Sequence, residues 1–242
     1  MKSVVIFKWA TDPRDIRVHA DGTVDWSAVS PWVGDDDYLA VQIAVNASGQ
    51  EGEVIGLTLA GGDMAFAAAR GAERTIAIEG LPAAADALTV AKALASAINT
   101  LEDVGTVVIG DSAWEPSVPI ILGGLLGWTT IMAVDGAGMC DGKLCVTRRF
   151  GTGTQELLVQ GPVVLGAAAK HEEEKKPGMR AVINARKKPV ITIQAEKTEG
   201  SSELKLQSTC LPETTPSRLF DGEDPDRAVR QLVQALQADG AL

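Results

Sequence analysis

Short runs of consecutive apolar residues recur along this chain, separated by stretches whose apolar positions fall at helical spacing. SVVIF (Ser3–Phe7), the first part of EVIGLTLAG (Glu53–Gly61), Thr75–Glu79, TVVIG (Thr106–Gly110) and Val163–Leu165 are apolar on successive residues, not on alternate ones. That pattern predicts strands covered on both faces. Between them, DDDYLAVQIAVNA (Asp35–Ala47) sets acids ahead of a helical apolar face, so a helix starts near Asp35–Asp37. MAFAAARG reads as a short helix stopped at Gly71, and DALTVAKALASAINTL (Asp86–Leu101) as an amphipathic helix capped by Asp86. Asp21-Gly22 marks a hairpin within Asp15–Trp26. Lys143–Ala168 supplies two antiparallel strands before the run at Val163, and RAVINARKKPVITI a short helix and a basic turn. The alternation predicts an α/β fold, a mostly parallel Rossmann-like sheet with helices on both faces, over residues 1–195. From Glu196 to Arg218 the chain turns polar and aperiodic, then closes with a capped amphipathic helix at Asp224–Ala238. Residues 196–242 are therefore expected to form an extended C-terminal arm and helix that contact a partner subunit.

Composition narrows the function classes. Hydrophobic residues make up 45% of the 242, enough for a sizeable core, and the net charge of −10 disfavours nucleic-acid binding. No apolar run approaches the roughly 20 residues of a membrane span, no secretory leader is expected, and the chain is expected to be cytoplasmic. Cys140, Cys145 and Cys210 lack CxxC spacing and are odd in number, so free thiols in a reducing compartment are expected. Hydrolytic chemistry finds no place: neither His19 nor His171 sits in a GxSxG, HExxH or metal-ligand spacing. Asp35-Asp36-Asp37 reads as a helix N-terminal charge cluster before a metal site. No catalytic residue and no metal ligand is assigned.

The stretch IGDSAWEPSVPIILGGLLGW (Ile109–Trp128) has the order of a nucleotide-phosphate site: a buried strand, a sharp turn and a glycine-rich helix beginning near Pro116. Its turn nevertheless carries Asp111, Glu115, Pro116 and Pro119. Carboxylates oppose a phosphate, and each proline removes an amide donor.

The order of pieces resembles the beta subunit of electron-transfer flavoproteins, closest to the branch associated with nitrogen fixation and carnitine metabolism. Four segments carry the likeness: VVIFKWATDPRDIRVHADGTVDW, DALTVAKALA at Asp86–Ala95, the strand, glycine, loop and helix of Val107–Trp128, and PVVLGAAAKHEEEKKPGMRAVINARKKP from Pro162 to Pro189. The resemblance implies pairing with an alpha subunit that carries most of the FAD contacts. It also implies exchange of electrons with a dehydrogenase and an acceptor protein, making this an electron-carrier subunit and not a self-sufficient catalyst. Carried over by position, it places cofactor contacts at Ile6, Lys8, Gly34, Asp37, Ala60, Gly110, Ser112, Ser117 and Val118. It places partner recognition on the loop containing Lys170, His171, Glu172, Glu173, Glu174, Lys175, Lys176 and Met179.

Where relatives carry a glutamine, a small residue and a glycine entering the helix, this chain has Ser117, Val118 and Pro119, in a shortened loop. The segment matching a nucleotide-contacting Asn-Pro-Phe-Asp is Gly34-Asp35-Asp36-Asp37, and the turn after Leu59 is compressed. AMP or a second FAD is therefore expected to be absent from this subunit or weakly held. Two other readings are compatible with the pattern: a free-standing adenine-nucleotide-binding domain, and a ligand-free structural or regulatory beta-like subunit.

Overall fold

The computed structural model describes residues 1–11, 15–25, 27–59, 61–81, 85–111, 117–168, 176–196 and 217–242. In chain order the strands are β1 (Lys2–Phe7), β2 (Trp9–Thr11), β3 (Arg17–Val18), β4 (Val24–Asp25), β5 (Pro31–Val33), β6 (Val54–Leu59), β7 (Arg74–Glu79), β8 (Val104–Gly110), β9 (Thr129–Cys140), β10 (Lys143–Phe150), β11 (Gly153–Val159), β12 (Val163–Ala167) and β13 (Val190–Gln194). The helices are α1 (Asp35–Ser48), α2 (Ala65–Ala68), α3 (Ala87–Asn99), α4 (Ser117–Leu126), α5 (Met179–Ala185) and α6 (Pro225–Ala238). Their ends follow local chemistry. The Asp86 side chain accepts from the Thr89 amide at 2.8 Å and starts α3. Asp224 does the same for α6 through Arg227, at 3.1 Å. Gly71, with φ +128°, takes the chain out of the α2 turn in a backbone region that side chains disfavour.

Nine strands form one sheet in the order β11-β10-β9-β12-β8-β1-β6-β7-β13. All neighbours from β9 to β13 run parallel, while β9, β10 and β11 form an antiparallel meander. The mostly parallel α/β fold read from the sequence is the fold observed. β1 lies in the interior of the sheet, between β8 and β6, with five of its six residues buried. Alternate residues divide between the faces: Val5 and Phe7 pack with α1 and α2, whereas Val4 and Ile6 pack with Val90, Leu94 and Ile98 of α3 and Val118 and Leu122 of α4. On the first face Phe66 meets Phe7 at 5.2 Å and Tyr38 at 5.3 Å between ring centroids, and the Arg70 guanidinium lies 4.1 Å from the Phe66 centroid. From β1, successive strands step outward through β6 and β7, then return to the other side of β1 with β8 and β12. The order thus reverses between β1 and β8, the place where open parallel sheets hold ligands beyond their C-terminal ends.

Two features differ from the expectations. β9, twelve residues long, occupies a stretch the sequence pattern leaves unassigned, because Asp135, Gly136 and Gly138 interrupt its apolar alternation. Pairing with β12 and β10 on either side stabilises it regardless of that weak local signal. The expectation of free thiols is corrected for two of the three cysteines, since Cys140 and Cys145 are joined as a disulfide across the β9–β10 hairpin. Asp141 and Gly142 form its two-residue turn with φ of +51° and +75°, and the resulting register sets the cysteines diagonally across one face of the hairpin. Cys210 lies outside the described residues.

The chain divides into two compact units, Met1–Arg17 with Asp25–Leu206, and Val18–Val24 with Gln207–Leu242. In the second unit α6 has no buried residue. No helix among the described residues is long and apolar enough to cross a membrane.

Candidate functional site

A cleft of about 670 Å³, measured out to its open mouth, lies over the C-terminal ends of β1 and β8. Ile6, Lys8, Gly34, Asp37, Gly110 and Val118, all named from the sequence, line it together. From β1 and the residue after it, Ile6, Phe7 and Lys8 all line the cleft, and the Phe7 ring also packs against Phe66. Gly34 and Asp37 come from the start of α1, Gly110 from the end of β8 and Val118 from the first turn of α4. Ser117 is exposed at the first position of α4 and is not among the lining residues. Ala60 and Ser112 lie outside the described residues, as do Lys170, His171, Glu172, Glu173, Glu174 and Lys175 of the recognition loop. Of that loop, Lys176 is exposed, and Met179 is 81% exposed at the head of α5.

The N-terminus of α1 is closed internally. The Gly34 amide donates to Asp37 Oδ2 at 3.2 Å, and the Asp37 amide donates to the Gly34 carbonyl at 3.1 Å. A backbone donor that would otherwise face the cleft is thereby engaged. Asp36 fills the adjoining space, for a Cβ on Gly110 would collide with its carboxylate, with Asp36 Cγ at 2.7 Å. The lack of a side chain at Gly110 thus lets β8 end against Asp36 in this position. Asp36 and Asp37 are 6% and 8% exposed, so both carboxyls stand among the walls of the cleft with little water.

Burial pushes the Asp37 carboxyl well above the usual carboxylate range, and Asp36 beside it adds to the rise. Backbone hydrogen bonds from Gly34 and Lys8, with the Lys8 charge, oppose the rise without reversing it. Burial also raises Asp36; amides of Asp36 and Asp37 act against it, and the charges of Asp35 and Asp111 reinforce it. Two neighbouring carboxyls that resist ionisation can donate as well as accept hydrogen bonds.

Asp111 has a different job from the one its position in the turn suggests. Its Oδ2 accepts from the Ala133 amide at 2.9 Å, and its own amide donates to the Ala167 carbonyl at 2.6 Å. Ala133 has φ +58° and sits where β9 and β12 shift register. The carboxylate therefore fastens an irregularity in β9 to the end of β8. The rest of the cleft is apolar, with Leu59, Val90, Leu94 and Ile109 beside Trp32. Sequence reasoning did not name Trp32, Leu59, Val90 or Leu94 as cleft residues, and it placed Asp36 and Ile109 only within the longer segments Gly34–Asp37 and Ile109–Trp128. The i, i+4 pair Val90 and Leu94 gave a signal only as the apolar face of α3, which packs on the face of the sheet. Among the described residues no cluster of three or more His, Cys, Asp or Glu could hold a metal ion.

The profile of the electron transfer flavoprotein domain family matches residues 36–198. A protein named electron transfer flavoprotein subunit beta from Syntrophomonas wolfei subsp. wolfei is 27% identical over 244 residues, covering 97% of this chain and 95% of its own length. Proteins of the same name from Mycobacterium bovis and Mycobacterium tuberculosis are each 28% identical over 260 residues, with 97% of both chains covered. A domain match over more than half the chain, end-to-end likeness to beta subunits and a doubly wound sheet with its cleft at the strand reversal agree, and this chain belongs to the electron transfer flavoprotein beta-subunit family.

Proposed function

We propose that this chain is the beta half of a heterodimeric electron carrier that takes electrons from a dehydrogenase and delivers them to an acceptor protein, through FAD held mainly by an alpha-type subunit. The observation that carries the reading is the likeness to beta subunits over 97% of the chain. In such an assembly the redox chemistry is the flavin's. This chain's residues would hold the partner subunit and select the redox partners. Residues 196–242 are proposed as the arm and helix laid on the alpha subunit. In support, Val229, Leu232 and Val233 share one side of α6 at helical spacing and are all exposed. The loop from Lys170 to Met179 is proposed as the docking element, and the cytoplasm as the compartment.

The cleft is proposed to hold AMP or a second FAD weakly or not at all. Its apolar walls would accept a ring, but its polar end does not suit a phosphate. The Gly34 amide is engaged by Asp37, Asp36 covers Gly110, and Pro119 offers no amide in the first turn of α4. The α4 N-terminus favours an anion by only roughly 0.3–1 kcal/mol when exposed. A single missing hydrogen bond to a charged group outweighs that, at roughly 1.5–3 kcal/mol.

Co-expression with an alpha-type subunit tests the main reading. The expected product is a yellow complex near 1:1, with a colourless product when this chain is expressed alone. A stable, flavin-loaded monomer of this chain would contradict it.

A further inference from the structure

We propose that Cys140 and Cys145 are a reversible two-electron thiol–disulfide couple, a site for exchange with low-molecular-weight thiols and disulfides. The inference is independent of the electron-carrier reading. It rests on where the hairpin places the two sulfurs and on what holds that hairpin when they are apart.

The pairing register sets Cys140 opposite Lys143 and Cys145 opposite Gly138. All four residues therefore lie on one face of the ribbon, with the cysteines diagonal to each other. Their Cα atoms are 5.9 Å apart, inside the span a disulfide bridges without backbone movement. The Asp141-Gly142 turn fixes this approach by backbone conformation alone. Leu144 and Val146 alternate with Cys145 and point the other way into the core, 5% and 1% exposed. β10 is further held between β9 and β11 over nearly its whole length. The hairpin is thus anchored by its core residues and its backbone pairing in either oxidation state. Cys140 is exposed and Cys145 half-buried, so an incoming thiol or disulfide reaches Cys140 first.

Starting from the dithiol, the Cys140 thiolate attacks one sulfur of a small disulfide RSSR and expels RS⁻, leaving Cys140 joined to SR. The Cys145 thiolate then attacks the Cys140 sulfur and expels the second RS⁻. The protein loses two electrons and two protons, and RSSR becomes two RSH. Excess RSH drives the same steps backward. Because the thiols are held on one face, the second step is intramolecular and should dominate over a second encounter with RSSR.

The test uses the full chain, reduced and then equilibrated in glutathione buffers of graded ratio, acid-quenched, alkylated and measured by mass spectrometry with peptide mapping. The expected product is a single species lighter by two hydrogens, with Cys140 linked to Cys145 and Cys210 alkylated. It should exceed the glutathione adducts at least about tenfold at millimolar thiol and revert fully on reduction. Reduction should lower the melting temperature by no more than about 10 °C. In Cys140→Ser, Cys145 should instead retain a glutathione adduct. Separate adducts on both cysteines of the wild type, a linkage to Cys210, or loss of the fold on reduction would each overturn the proposal.

Discussion

Replacing Asp37 by asparagine should make the protein more stable at neutral pH, although it removes an acid from the first turn of a helix. Asp37 is 8% exposed, and burial followed by its neighbour Asp36 holds its proton well above the usual range. The unfolded chain gives up that proton near pH 3.9. Between there and the raised folded value the native state carries more protons than the unfolded one, so stability falls as pH rises. The fall is about 1.4 kcal/mol per pH unit for one full proton. Below the unfolded value this contribution is fully present; above the folded value it is lost. Asparagine keeps an oxygen to accept from the Gly34 amide, which donates to Oδ2 at 3.2 Å, and does not titrate. The helix dipole favours the ionised acid by roughly 0.3–1 kcal/mol, less than one pH unit of the proton effect. Asp37→Asn should therefore match the wild type near pH 4 and exceed it on the order of 1 kcal/mol or more at pH 7. Burial raises Asp36 as well, so the double asparagine variant should show the smallest slope. Urea unfolding followed by far-UV circular dichroism from pH 4.5 to 7.5 measures the difference. A wild type that gains on the variant as pH rises would mean that Asp37 is ionised in the fold, and the burial argument would fail.

Asp111→Ala should cost about 1.5–3 kcal/mol of stability by leaving the Ala133 amide without its 2.9 Å carboxylate partner; unchanged urea midpoints would refute that role. Heat-denaturing the purified heterodimer and chromatographing the supernatant should release well under one AMP per complex, and one equivalent would show that the cleft binds phosphate through donors outside the described residues. Changing Glu172, Glu173 and Glu174 to serine should alter the rate of flavin reduction by the dehydrogenase at low salt and weaken its salt dependence, leaving the flavin spectrum intact. Identical low-salt rates would make that loop a solvated turn.

The sequence by itself determined the alternation of strands and helices, because burial on two faces requires consecutive apolar residues and burial on one requires helical spacing. It also determined several ends: the Asp86 and Asp224 caps are made by side chains three residues from the amides they bind. Six of the nine expected cofactor contacts converge on one cleft, since residues at strand ends and helix starts meet wherever a parallel sheet reverses its order. Tertiary structure alone decided the rest. β9 owes its twelve residues to partners on both sides, not to its own glycine-broken pattern. Cys140 and Cys145 come together diagonally because a two-residue turn with positive φ sets the register of their strands, which the spacing of cysteines does not encode. Asp111 reads in sequence as a charge opposing a ligand, and in the fold it fastens β9; Asp36 reads as one acid of three, and in the fold it covers Gly110. Local periodicity records which residues must leave water, whereas the partner of a polar side chain depends on distant segments brought within a few ångströms by packing, and no local pattern carries that distance.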